Sequence, residues 1–191
     1  MAMSNRDRRP RRSPADQEEK QFDERTLDID RVARVVKGGR RFRFRALVVI
    51  GDHKGGVGMG IAKGADVTTA ITKATEIAKK ELVRIALYKS TIPHEVEVRV
   101  SGSRILIKPA SIGTGLIAGS VVRTILEVAG IKDVLSKSLG SSNKTNTAYA
   151  TMAALQQLVP AKQWVRRPKR QTVESTPPPV AKTATVTKEK K

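Results

Sequence analysis

The chain has 191 residues, 39% of them hydrophobic, with 37 Lys plus Arg against 18 Asp plus Glu, two His and no Cys. That length allows one or two small domains with ordinary cores, and the lack of cysteine excludes a disulfide framework and any thiolate metal site. A formal net charge of +19 exceeds what solubility needs and selects for a polyanionic partner, whose phosphates are neutralised with release of counterions.

No apolar run approaches the ~20 residues of a membrane span, and the N-terminus lacks the hydrophobic segment of a secretory signal. This reading expects a soluble, intracellular protein without a membrane span. The cations fall on predicted strands and tails rather than on a long basic amphipathic helix, which favours nucleic acid over an anionic membrane surface.

Residues 1–25 carry seven cations and six acids and almost nothing to bury, so they are expected to form a disordered arm. A β-branched run, Val32 to Lys37, then leads to Gly38-Gly39, a two-residue link suited to a tight hairpin. Arg41-Phe42-Arg43-Phe44-Arg45 alternates cation and aromatic at strand period. Three guanidiniums therefore project from one sheet face, while Phe42 and Phe44 enter a core on the other. Leu47-Val48-Val49-Ile50 continues as a strand to Gly51-Asp52, and Gly56 to Ile61 forms a third. The expected product is a three-stranded antiparallel meander.

Gly56, Gly58 and Gly60 leave one side of the third strand bare, so something can approach its backbone closely. A packed helix or loop and a nucleic-acid backbone both satisfy that pattern. Neither the Walker spacing nor Gly-x-Gly-x-x-Gly opening a helix occurs. Gly55-Gly56-Val57-Gly58 matches the KH tetrapeptide, but its flanks read as strands rather than helices. Asp66 suits the N-cap of a helix to about Val83. Val67, Ala70, Ile71, Ala74, Ala78 and Leu82 give that helix an apolar stripe able to cover the strands. The first domain is then β-β-β-α over residues 26–90, with Arg84 to Thr91 as a connector whose Ile85, Leu87 and Tyr88 can tuck into a domain interface.

The second domain, residues 91–159, opens with strands Glu95 to Val100 and Arg104 to Lys108 around a turn at Ser101-Gly102-Ser103. A flexible approach, Pro109 to Gly115, precedes a helix from about Leu116 to Val128, with Gly130 as its C-terminal cap. The small residues Gly115, Gly119 and Ser120 at its start suit either phosphate binding by free amides or close packing. Asp133 to Leu139 reads as a strand, and Asn143 caps a last helix through Leu158. The order is β-β-α-β-α, and the fold class is α+β. Residues 160–191 are Lys-, Thr- and Pro-rich, with Trp164 their one aromatic, and read as a disordered basic tail. Residues 26–159 alone hold 21 cations and 10 acids, an excess of +11, so the tails do not explain the charge.

An enzyme is disfavoured. The only histidines, His53 and His94, stand beside Asp52 and Glu95, and neighbours on a strand point to opposite faces, which makes a poor dyad. No cofactor and no metal site are expected.

Arg31 to Arg40, the Ala46 to Asp52 strand, Val57 to Gly60, Thr91 to Glu95, Lys108-Pro109-Ala110, Gly113 to Gly119, Glu127 to Val134 and Lys137 to Ser141, in that order, closely resemble the S-five family of bacterial small-subunit ribosomal proteins. The resemblance spans roughly Leu27 to Leu158. It implies an N-terminal domain like a double-stranded-RNA-binding domain and a C-terminal domain with a left-handed β-α-β crossover. It also implies a non-enzymatic, cytoplasmic component of the small ribosomal subunit. Such a component binds small-subunit ribosomal RNA, contacts the S-four and S-eight family proteins, helps line the messenger RNA entry path and contributes to translational accuracy.

Residue by residue, the expected RNA-binding set is Arg31, Arg34, Lys37, Gly38, Gly39, Arg40, Arg41, Arg43, Arg45, Lys54 and Lys63. Val32, Ala33, Arg34 and Gly39 correspond to the hairpin associated with spectinomycin sensitivity. Gly113, Thr114, Gly115 and Arg123 correspond to the S-four contact. The chain departs from the family's usual residues at His53 and Ala62, where glycine is common, at Lys144 in place of proline, and at Tyr149 in place of arginine.

Overall fold

A computed structural model describes residues 22–160. The expected arm ahead of Phe22 and the basic tail from residue 161, Trp164 included, lie outside the described residues. The elements run β1 (Asp23–Val36), β2 (Gly39–Gly51), β3 (Gly56–Gly64), α1 (Val67–Lys80), β4 (Val83–Arg84), β5 (Val96–Val100), β6 (Ser103–Pro109), β7 (Leu116–Ile117), α2 (Ser120–Ala129), β8 (Val134–Ser138) and α3 (Lys144–Gln156). They build two four-stranded sheets, ordered β1-β2-β3-β4 and β5-β6-β8-β7.

The expected meander is present, with two corrections at its ends. β1 starts at Asp23, so the last three residues of the expected arm pair with Val49, Ile50 and Gly51. Its first half, Asp-Glu-Arg-Thr-Leu-Asp-Ile-Asp, is charged because it is an edge strand, where charges discourage pairing with another chain. Val83-Arg84 adds a fourth strand against Gly56 and Val57, within the stretch read as helix end and connector.

The first sheet is covered on both faces. Ala46, Val48 and Ile50 meet Ala70, Ala74 and Ala78 of α1 in one cluster. Leu47 and Val49 enter a larger core with Val122, Ile125, Leu126 and Val128 of α2 and Leu155 of α3. The bare side of β3 belongs to the helix: a Cβ on Gly58 would overlap the Ala78 carbonyl oxygen, and one on Gly60 the Ala74 carbonyl oxygen. Helix packing therefore occupies the space left open to nucleic-acid backbone. α1 ends at Lys80, three residues short of expectation, and Leu82 beyond it is 40% exposed.

The two domains are joined by more than apolar contact. The turn between β2 and β3 caps the C-terminal end of α2: His53 N donates to Val128 O at 3.1 Å and Gly55 N to Ala129 O at 3.0 Å. His53 has φ +54°, a conformation that glycine adopts freely. On the far side Lys144 Nζ lies 2.8 Å from Asp28 Oδ1. In the connector Ile85 is buried and Leu87 packs against the same core, whereas Tyr88 is exposed, against the expectation that it tucks inward.

In the second domain Leu116-Ile117 is a short strand parallel to β8, and not the first turn of the helix. α2 starts at Ser120 after Gly119 and ends on Gly130 at φ +87°, the expected left-handed cap. The order is thus β-β-β-α-β-α, with β7-α2-β8 the crossover unit. Asn143 caps α3, its Oδ1 accepting from Thr145 N at 3.0 Å.

Candidate nucleic-acid interface

β1 and β2 pair from Asp23↔Gly51 to Val36↔Gly39, with one bulge between Thr26 and Asp28, but β3 stops in register with Phe44. Residues 31–43 therefore project as a two-stranded arm beyond the third strand. The arm holds six cations, Arg31, Arg34, Lys37, Arg40, Arg41 and Arg43, and no acid. The two-residue link is Lys37-Gly38, and Gly39 is already paired with Val36. Gly39 alone needs to be glycine, with φ +134°. At Gly38 a Cβ would meet nothing.

Register sorts the cations by face. Arg34 is opposite Arg41, Val32 opposite Arg43 and Asp30 opposite Arg45, while Arg45 is opposite Lys63 on β3. Arg34, Arg41, Arg43, Arg45 and Lys63 thus share one face, as the alternation predicts. That face is not open along its whole length, because its continuation is Leu47 and Val49, which are buried under α2. Arg45, at the boundary, is held by Asp30, Nη2 to Oδ2 at 2.6 Å. Past it lies a groove of about 320 Å³ that brings together Arg34, Arg41, Arg43 and Lys63. No carboxylate pairs with those four among the described residues. Directly opposed like charges such as Arg34/Arg41 destabilise a strand pair, so the arm carries an electrostatic penalty that a bound polyanion relieves.

The other face holds Arg31 and Arg40 with the two aromatics. Phe44 packs on the α1 cluster, as expected. Phe42 does not enter a core: it is 45% exposed, because the strand and helix that would cover it end short of it, and the Arg31 guanidinium stands 3.9 Å from its centroid. Lys54 is also separated from the set. It lies in the turn after β2, about 40 Å from the hairpin tip at ~3.4 Å per residue. That turn is fixed by Asp52, whose Oδ1 accepts from Lys54 N at 2.8 Å and Gly56 N at 2.7 Å. Burial alone would raise the Asp52 pKa, but those amides hold it below the usual range.

Gly113 and Gly115, at φ +92° and +77°, form a loop strapped by Asp133, whose Oδ1 accepts from both amides at 3.0 Å. Those two N–H groups are accordingly taken by a carboxylate and not offered to phosphate. The Ser90 hydroxyl, then the Gly115 and Gly113 amides, hold the Asp133 carboxyl below its ordinary range. Thr114 is exposed. Arg123 is exposed on α2 and lines an open groove of about 720 Å³ with His53, Leu116, Glu127 and Lys132.

Sequence reasoning missed Asp133 as the strap and Asp30 as the partner of Arg45. A cross-strand register would have revealed Asp30, but nothing local marks Asp133. Neither histidine makes a dyad with its neighbour. His53 Nδ1 faces Glu127 O, while Nε2 of His94 accepts from Val159 N at 3.0 Å. Among the described residues no group of three or more His, Cys, Asp or Glu could hold a metal ion, and no helix is long and apolar enough to cross a membrane.

Comparison with known proteins agrees with this architecture. Residues 22–86 match the family model "Ribosomal protein S5, N-terminal domain" and residues 98–167 match "Ribosomal protein S5, C-terminal domain". The protein named small ribosomal subunit protein uS5 from Treponema pallidum (strain Nichols) is 51% identical over 148 residues, covering 78% of this chain and 86% of that protein. Its counterpart from Thermus thermophilus is 53% identical over 140 residues, covering 73% and 86%. Two matched domains in the order the fold displays, and relatives aligned along most of their own length, establish that the chain belongs to the ribosomal protein S5 family, structural proteins of the small ribosomal subunit.

Proposed function

We propose that the chain binds small-subunit ribosomal RNA chiefly through the basic arm, residues 31–43. The observation that carries this is the cluster of Arg34, Arg41, Arg43 and Lys63 around one groove, with no carboxylate partner among the described residues. Phosphate contacts position such an arm without reading sequence. The tip, with Val32, Ala33, Arg34 and Gly39, is the part that reaches toward the decoding region and influences spectinomycin response. The Gly113 to Gly115 loop and Arg123 form the contact with the S-four family protein. The S-eight family protein is a second neighbour, messenger RNA passes nearby, and the subunit works in the bacterial cytoplasm. Loosening the S-four contact changes decoding accuracy.

The test is sedimentation of a tagged chain expressed in place of the resident protein. It should travel almost wholly with small subunits in high salt, as an assembled constituent does. A chain found mainly free, or released from the subunit with the first salt step, would count against this reading and favour a loose RNA-binding regulator.

A further inference from the structure

The arm's second face carries a feature that phosphate neutralisation does not use. Arg31, Ala33 and Val35 of β1 lie across from Phe44, Phe42 and Arg40 of β2. The residue directly opposite Phe42 is Ala33, whose single methyl cannot cover a phenyl ring. β3 ends in register with Phe44, and α1 begins only at Val67, so neither element reaches Phe42. The ring belongs to neither apolar cluster and is 45% exposed. Its partner is the Arg31 guanidinium, 3.9 Å from the centroid, close enough for cation–π attraction.

On a stretch with six cations and no acid, the exposed ring adds to the fold only its contact with Arg31 beyond what Leu or Thr would supply. Its chemistry does suit one ligand. Bases removed from a helical stack are held on aromatic rings and on guanidinium planes, and the surrounding cations retain the attached phosphates. Bases inside a duplex offer no such face. We propose that Phe42, backed by Arg31, stacks a single unpaired base of the RNA partner. This rests on the RNA-binding reading and adds to it the class of nucleotide the arm selects. The charge around the ring argues for a nucleotide over an apolar peptide as its occupant.

The experiment uses the full chain and two probes of equal charge, an oligouridylate and the same oligomer with abasic riboses. The wild type should prefer the oligouridylate by roughly 5- to 150-fold, the range that stacking one base gives. Phe42→Leu should erase that preference while leaving affinity for the abasic probe, the salt dependence and the circular dichroism unchanged. Phe42→Trp, made in a Trp164→Phe background, should keep the preference and show emission quenched on binding. Equal losses on both probes in Phe42→Leu, or a wild type that binds both alike, would overturn the stacking site while leaving RNA binding standing. A wild type that binds neither probe would remove the RNA-binding reading itself, and the stacking site with it.

Discussion

The arrangement on the basic face makes a quantitative statement about which arginines matter. Arg41, Arg43 and Arg45 look equivalent in the sequence, yet Arg45 is bound to Asp30 at 2.6 Å, whereas Arg41 and Arg43 join Arg34 in the open groove. Each phosphate contact contributes ~0.7–0.9 to the slope of log affinity against log salt. Replacing Arg34, Arg41 and Arg43 together by Gln should therefore lower that slope by ~2.1–2.7. Replacing Arg41, Arg43 and Arg45 should lower it by only ~1.4–1.8, because the third cation is already neutralised. Over a fourfold rise in salt the wild type should lose roughly 20- to 40-fold more affinity than the first variant. Filter binding of ribosomal RNA fragments across a salt series measures both slopes. Equal slopes for the two triple variants would refute the argument that Asp30 removes Arg45 from the interface, and an unchanged slope in both would refute the groove as a phosphate site.

Four further outcomes follow from particular contacts. Gly39→Val forces a β-branched side chain to φ +134°, a local strain of ~1–3 kcal/mol at the tip. It should assemble yet alter spectinomycin response or accuracy, while Gly38→Ala, with open space around it, should behave as wild type; identical drug response in both variants would argue against the tip's role. Gly60→Ala drives a methyl into the Ala74 carbonyl and should cost about 1–3 kcal/mol in urea unfolding as α1 is pushed off the sheet, whereas an unshifted midpoint would show that the helix yields freely. Asp133 is held below the ordinary carboxylate range, so its stabilisation is complete above the unfolded value of about 4 and is lost as pH falls through the lower folded value. Asp133→Asn should flatten that acid limb of a stability–pH curve, and an unaltered limb would discount the strap. Arg123→Leu, on an exposed helix position, should leave unfolding within ~0.5 kcal/mol of wild type but raise near-cognate misreading in a reporter strain; unaltered accuracy there would discount the proposed S-four contact.

Much of the fold can be read locally, and what cannot depends on partners distant in sequence. The helix over residues 67–80 follows from a stripe of small residues and an Asp at its cap, all within one segment. The run Ala46 to Ile50 carries its own signal: five consecutive apolar residues mark a strand buried on both faces. The Arg-Phe alternation upstream, read alone, gives the sheet one inner face and so misses the second domain's position against Leu47 and Val49. Leu116-Ile117 reads as helix because two apolar residues beside Gly119 fit either period, and only pairing with Val134 and Leu135 makes them a strand. Alternation sends Phe42 to a core because it fixes a side chain's face but not whether anything lies over it. Where the covering elements stop is a property of register, set by the Phe44↔Gly64 pairing.

That register also divides the molecule mechanically. At its root the first sheet is clamped between α1 and the second domain, with the α2 carbonyls capped by the β2–β3 turn and Lys144 joined to Asp28. Beyond Phe44 the same two strands continue with no third strand, and an isolated two-stranded ribbon is marginally stable in water. The like-charged pair Arg34/Arg41 weakens it further. The arm is thus built from the same strands as the most buried part of the core, yet among the described residues it is held past Phe44 only by the pairing of those two strands. A firm root sets the direction in which the arm leaves the body, while the ribbon beyond it lacks a third strand to hold its shape. Substitutions in the root should consequently act on folding, and substitutions past Phe44 on binding, although the residues are contiguous in sequence.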